Sequence, residues 1–297
     1  MAHEGDLIIR TAGLSKRYGR VTAVDNLDLS LARGEIFGFL GLNGAGKTTT
    51  IRMLCGLLRP TAGRIYVDGE ELRWPASSRH RRLIGYLPQG VRFHEPMSVE
   101  QTLAFYCALN EVDPAPALRR AAAFGLPSGR RAAQLSPGQQ RKLGIILATL
   151  GEPALLFLDE PTAGLDPAGQ KEMREIVVDL HGRGVTVFIS SHILGEVQQV
   201  CTSIGVLHQG RLVRVGPLEE RYEFEVEGWE EGRWQGRPPL RLLPGSNGSQ
   251  RLLAGVARRQ VPEVTAGLVA AGVRVYGIRE QSLEDIFNRM VATEERR

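Results

Sequence analysis

The 297-residue sequence predicts an α/β fold: a doubly wound core on a buried parallel sheet, an inserted helical subdomain, and a small α+β domain at the C-terminal end. Three observations lead there. Apolar runs of strand length end at Gly-rich or acidic positions and give way to helical patterns. Between about residues 90 and 150 that alternation stops and helical periodicity takes over. Beyond Pro217 the composition changes, which sets the expected domains at 1–217 and 218–297.

Taken in order, the runs Glu35–Leu40, Ala154–Leu158 and Val185–Ile189 lead into three different ends. The first meets the glycines of 41–46, the second Asp159 and Glu160, the third Ser190, Ser191 and His192. Continuously apolar runs suit strands covered on both faces, as in a parallel sheet flanked by helices. In the helical stretch, Ser98 followed by Gln101 makes a capping box ahead of Val99, Leu103, Tyr106 and Cys107 on one face. A second helix begins near Ser136, with Leu143, Ile146, Leu147 and Leu150 spaced i, i+3, i+4 and i+7. Further on, Tyr222, Phe224 and Val226 alternate with Glu223, Glu225 and Glu227, the pattern of a half-buried strand. Residues 228–250, rich in Gly, Pro and Arg, read as a loop. Val264–Ala271 reads as a helix and Val273–Ile278 as a strand. Ser282 and Asp285 open a last helix bearing Leu283, Ile286, Phe287 and Met290.

Composition narrows the class. A 42% hydrophobic content is ordinary for a globular chain with a full core. Lys plus Arg number 37 against 33 Asp plus Glu, an excess of +4, too mild to point to nucleic acid as a partner. Residues 228–260 alone hold six Arg against two Glu, which equals that excess. This segment is either a solvated loop or a contact for anionic lipid headgroups. Cys55, Cys107 and Cys201 are far apart and read as reduced cytosolic thiols. Met1–Arg10 has no apolar signal-peptide core. No window approaches the roughly 18–20 apolar residues that cross a bilayer. Work at a membrane would require another chain to span it.

Two motifs carry chemistry. Gly41-Leu-Asn-Gly-Ala-Gly-Lys47-Thr48 is a G-x-x-x-x-G-K-[ST] loop between an expected strand and an expected helix. Such a loop turns backbone N–H groups inward around phosphate oxygens, and the helix N-terminus adds partial positive charge. Its candidate nucleotide contacts are Asn43, Gly44, Ala45, Gly46, Lys47, Thr48 and Thr49. Lys47 reaches the β- and γ-phosphates, and the Thr48 hydroxyl suits Mg²⁺. Leu155–Leu158 then delivers Asp159 and Glu160 side by side. Asp159 suits the Mg²⁺ shell and Glu160 suits a base or orienting group for the attacking water.

With these in place a family resemblance becomes specific. Leu135-Ser-Pro-Gly-Gln139 resembles the L-S-G-G-Q signature of the ATP-binding cassette (ABC) family, and it lies between the phosphate loop and the Asp-Glu strand as in that family. Tyr18 resembles the family's adenine-stacking aromatic. Gln89 resembles its metal- and water-contacting glutamine, which also senses the transmembrane partner. Ala163-Gly-Leu-Asp166 resembles the loop that crosses between two cassettes, and Ser190-Ser-His192 the switch histidine at the γ-phosphate. The resemblance covers about residues 7–216. It implies a P-loop NTPase cassette core that binds ATP and Mg²⁺ and hydrolyses ATP. It implies a partner cassette, most simply a second copy, paired head to tail, so that Ser136, Gly138 and Gln139 of one close over ATP held by the other. It also implies a separate polytopic transmembrane permease, with the cassette at the cytoplasmic face of the membrane. Pro137 departs from the family's glycine at the third signature position.

Glu280-Gln-Ser-Leu-Glu-Asp-Ile-Phe287 is similar to a tail segment of the daunorubicin-resistance-like branch, whose members export drugs, lipids, polysaccharides or natural products. The competing readings are a soluble cassette ATPase not engaged in transport and an importer motor with a regulatory C-terminal domain.

Overall fold

The computed structural model describes residues 6–281 apart from 94–95, 219–220, 231, 233, 235, 237 and 244–249. The chain divides into two compact units, Met1–Gly216 and Pro217–Arg297. The first opens with β1 (Leu7–Tyr18), β2 (Val21–Leu27), β3 (Ser30–Ala32), β4 (Ile36–Leu40) and α1 (Lys47–Leu54). Next come β5 (Ala62–Val67), β6 (Glu70–Glu71), α2 (Ser78–Leu83) and β7 (Ile84–Leu87). Helices α3 (Val99–Leu109), α4 (Pro114–Ala123) and α5 (Pro137–Ala148) follow. The chain returns through β8 (Leu155–Asp159), α6 (Pro167–Gly182), β9 (Thr186–Ser191), α7 (Leu194–Val200), β10 (Ser203–His208) and β11 (Arg211–Pro217). The second unit comprises β12 (Arg221–Glu227), β13 (Leu240–Leu243), β14 (Gln250–Gly255), α8 (Val261–Ala270) and β15 (Arg274–Glu280).

Among the described residues the central sheet runs β11-β10-β4-β9-β8-β7. Pairing from β10 through β7 is parallel. Every residue of β4, β8 and β9 is buried, which is why those runs carry no polar alternation. Phe188 sits at the centre, its ring centroid 5.1–5.2 Å from those of Phe37, Phe39 and Phe157.

A second sheet, β2-β1-β5-β6 with β3 also on β1, has no counterpart in the sequence reading. Its pairing is antiparallel, and β1 is interrupted by register shifts against β2, β3 and β5. Each bulge resets which face a side chain takes, so the period-2 pattern never builds up. One apolar cluster joins Ile8, Ile65 and Val67 of this sheet to Phe37 and Phe157 of the parallel sheet, and to Ile51 and Leu54 of α1. Helix α1 is thereby held in the core with its first turn at the C-terminal edge of the parallel strands.

The capping boxes are present: Ser98 caps α3 with Gln101, and Ser136 caps α5 with Gln139. Val99, Leu103 and Cys107 pack on Leu143 and Ile146 in an apolar cluster of their own. Burial raises the thiols, Cys201 to about 12, so they behave as small apolar side chains.

In the second unit β13-β14-β12-β15 form an antiparallel sheet, with Val264 and Leu268 of α8 packed against Phe224, Val226 and Leu252. The segment read as a loop over 228–250 contains β13, whose Leu240–Leu243 pairs with β14. Pro238 and Pro239 immediately before it hide the short strand in a breaker-rich stretch. Alternation in β12 also has an exception. Glu225 and Glu227 are exposed, whereas Glu223 is buried and paired with Arg279 and Gln281. The expected helix carrying Leu283, Ile286, Phe287 and Met290 lies outside the described residues.

Candidate active site

Adjacent parallel strands bring their C-terminal ends to one edge. The register pairs Leu40 with Ser191, Asp159 with Ser190, and Leu87 with Leu158. Loops leaving that edge therefore share a crevice, the usual ligand position in open α/β sheets.

From β4 the chain passes through Gly41 to Gly46 and enters α1 at Lys47. Gly46 is the N-cap with φ 108° and gives α1 no side-chain cap, and the first turn carries no acidic residue. The α1 N-terminus is left with free backbone donors and partial positive charge, which suits an anion. Asn43 and Gly44 are exposed, Ala45 is buried, and Thr48 and Thr49 are half-buried.

Lys47 is 6% exposed. Its Nζ donates to the carbonyls of Gly41 at 2.7 Å and Leu42 at 3.3 Å, and lies 3.2 Å from Oε1 of Glu160. Glu160, also 6% exposed, places Oε2 2.7 Å from Nδ1 of His192. Its backbone is left-handed at φ 50°, a strained conformation for a non-glycine residue and one common at functional sites. Asp159 is 1% exposed: Oδ1 accepts from the Ser190 hydroxyl at 2.6 Å, and Oδ2 has no partner among the described residues.

That orphaned, buried carboxylate oxygen is the feature that fits Mg²⁺. A hard cation with oxygen ligands would take it together with the Thr48 hydroxyl and the Gln89 amide oxygen. Among the described residues no cluster of three or more His, Cys, Asp or Glu side chains could hold a metal alone. Mg²⁺ typically binds through one or two carboxylates plus phosphate and water, so such a cluster is not required.

Lys47, Asp159, Glu160 and His192 are thus brought together. The other candidates make no hydrogen bond or ion pair to these four among the described residues. Tyr18 ends β1, 49% exposed, with Lys16 Nζ 5.3 Å from its ring centroid. Gln89 is exposed in the turn just after β7. Ser136 and Gln139 bond each other at the head of α5, and Gly138 lies in that turn. Asp166 caps α6 by accepting from the Gly169 N–H at 2.9 Å. Sequence reasoning missed Ser190 as a member of the site: its hydroxyl donates to Asp159 and accepts from the Glu160 N–H at 3.0 Å. A serine directly after the apolar run Val185–Ile189 was the available signal.

Comparison with known proteins identifies the family. The family described as ABC transporter matches residues 24–163. The chain is 39% identical over 216 residues to the bacitracin transport ATP-binding protein BcrA of Bacillus licheniformis, covering 71% of this chain and 70% of that one. It is 40% identical over 221 residues to the daunorubicin resistance ATP-binding protein DrrA3 of Streptomyces coeruleorubidus, covering 72% and 70%. A solved ATP-binding subunit of an ABC transporter superposes with a TM-score of 0.64 at 31% identity, over 71% of this chain and 90% of that one. The chain belongs to the ABC transporter family, as an ATP-binding subunit that hydrolyses ATP.

Proposed function

We propose that the chain powers an exporter of drugs, lipids or natural products. Two copies pair head to tail on the cytoplasmic face of a separate transmembrane permease. The relatives' own names, bacitracin transport and daunorubicin resistance, support the exporter direction. Among the described residues no helix is long and apolar enough to cross a membrane, which fits a spanning partner.

The observation that carries the site assignment is the buried Lys47–Glu160 pair at the strand edge, with the more exposed His192 bonded to Glu160. On this reading Lys47 leaves Glu160 and the loop carbonyls to take phosphate oxygens, while Asn43 to Thr49 surround the phosphates and Tyr18 stacks on adenine. Glu160, released from Lys47, orients water for in-line attack, and His192 contacts the γ-phosphate. Positioning and charge do the work, because phosphoryl transfer needs little covalent chemistry. Mg²⁺ held by Thr48, Asp159 and Gln89 would neutralise charge developing on the phosphates. Ser136 and Gln139 cap their own helix and make no contact with the Lys47–Glu160 cluster among the described residues. The family resemblance has Ser136, Gly138 and Gln139 close over the other copy's ATP, with Asp166 linking the two sites.

The departure at Pro137 is mild on this account. Proline at the first helical position removes an N–H that has no intrahelical partner, and the Ser136 cap is intact. Pro137→Gly is expected to cost at most about 1 kcal/mol of stability and to change steady-state ATP turnover only about twofold to threefold. Abolished turnover or a large gain would sink the idea that the signature works with proline.

To test the transporter reading, tagged Glu160→Gln protein is recovered from native membranes with Mg·ATP, and its partners are identified by mass spectrometry. A polytopic membrane protein is the expected partner. Recovery of soluble proteins alone would overturn the transporter assignment and leave the ATPase standing.

A further inference from the structure

The segment after Glu160 is held from two sides by residues that have no role in the mechanism above. Glu160, Pro161, Thr162 and Ala163 form a turn, closed by the Ala163 N–H on the Glu160 carbonyl at 3.3 Å, and Leu165 bonds back to Thr162 at 3.0 Å. On one side the Thr162 hydroxyl donates to Oε2 of Glu196, in the first turn of α7. On the other, the Arg141 guanidinium of α5 donates to the Ala163 carbonyl. Glu196 is 9% exposed and Thr162 is also buried. The second oxygen of Glu196 has no partner among the described residues.

A buried carboxylate held by one neutral hydroxyl is costly, because desolvation of a charge is offset only by several good partners. Folding alone does not call for it, since an apolar pair of the same shape would pack there without that cost. What the pair does supply is placement. It ties the turn bearing Glu160 to α7, which begins two residues after His192. Glu160 and His192 are themselves 2.7 Å apart. Besides the Glu160 N–H bond to Ser190, two side-chain links therefore join the same two segments, one through the Glu160–His192 pair and one behind it.

We infer that Glu196, through Thr162, is a positioning residue that holds Glu160 in its left-handed conformation and in register with His192. This rests on the proposed roles of Glu160 and His192. The hydroxyl–carboxylate bond fixes where the turn stands relative to α7, and Arg141 fixes its other side against the signature helix. Loosening the turn lets Glu160 relax out of φ 50°, which moves its carboxylate off the line of attack and leaves the phosphate loop untouched.

The test is steady-state ATPase and nucleotide affinity of the purified full chain. Thr162→Val keeps shape and removes the donor; it is expected to lower kcat about tenfold or more, with KM and the Kd for a fluorescent ATP analogue within twofold. Thr162→Ser restores the donor and is expected to recover kcat to within threefold of the native chain. A Thr162→Val kcat within twofold of native, or a Thr162→Ser no better than Thr162→Val, overturns the inference. Should Thr162→Val not fold, Glu196→Gln against Glu196→Ala reads the same contact, because Gln keeps an acceptor. Gln near native with Ala about tenfold down supports the inference, and equal values overturn it. Glu160→Gln is assayed in parallel. If Glu160→Gln itself hydrolyses normally, the underlying site reading has failed; if it is inactive while Thr162→Val is normal, only this inference has.

Discussion

Glu160→Gln is expected to lower ATP turnover by about a hundredfold to ten-thousandfold, the range that a positioned general base supplies. Mg·ATP binding should stay within severalfold of native. The side chain is buried between Lys47 and His192, so the amide keeps the shape and loses the charge proposed to orient water. Lys47 keeps its two carbonyl acceptors, which limits the structural cost. The double readout is single-turnover hydrolysis together with sedimentation in Mg·ATP, where the variant should accumulate as a nucleotide-bound dimer. Hydrolysis at the native rate would remove Glu160 from the chemistry.

Gly46→Ala is the second large effect, and it acts through the backbone. At φ 108° and ψ 6° the position lies outside the regions that L-residues adopt. A Cβ there would stand 2.3 Å from the Ala23 carbonyl oxygen, a backbone atom that has no side-chain freedom to move aside. Strain and clash together are expected to cost about 3 kcal/mol and to abolish measurable Mg·ATP binding, because the α1 N–H groups lose their aim. Gly44→Ala is the informative control. Its φ is 81°, yet a Cβ meets nothing within 4 Å, so it carries strain without collision. It is expected to cost about 1 kcal/mol and to bind nucleotide more weakly without losing it. Urea unfolding and calorimetric titration of both variants separate the two terms. Equal behaviour of the two would mean that the contact with Ala23 does not shape the loop.

What the sequence disclosed follows from how far apart the cooperating residues lie. The phosphate loop, the Asp159–Glu160 strand end and the Ser98 and Ser136 caps are local, and each motif contains most of its own geometry. Continuous apolarity of β4, β8 and β9 announced the parallel sheet because burial on both faces removes alternation. The antiparallel sheet stayed hidden behind the bulges of β1, and β13 behind its flanking prolines. Glu223 read as a solvent-facing residue because its partner Arg279 is 56 positions away. Thr162 and Glu196, 34 positions apart, show the same limit at the candidate site. Periodicity speaks of a residue's neighbours along one element, whereas such pairs are settled only when elements meet.

The 3.2 Å contact between Lys47 and Glu160 makes the lysine a shared partner, for the carboxylate and, on the proposed reading, for phosphate. On that reading phosphate binding at Lys47 is an exchange of partners, and its apparent affinity is the net of that exchange. A lone inorganic phosphate has only the loop to compensate for that exchange. On the proposed reading ATP, with its other phosphates and its base, compensates for that exchange better than a bare anion does.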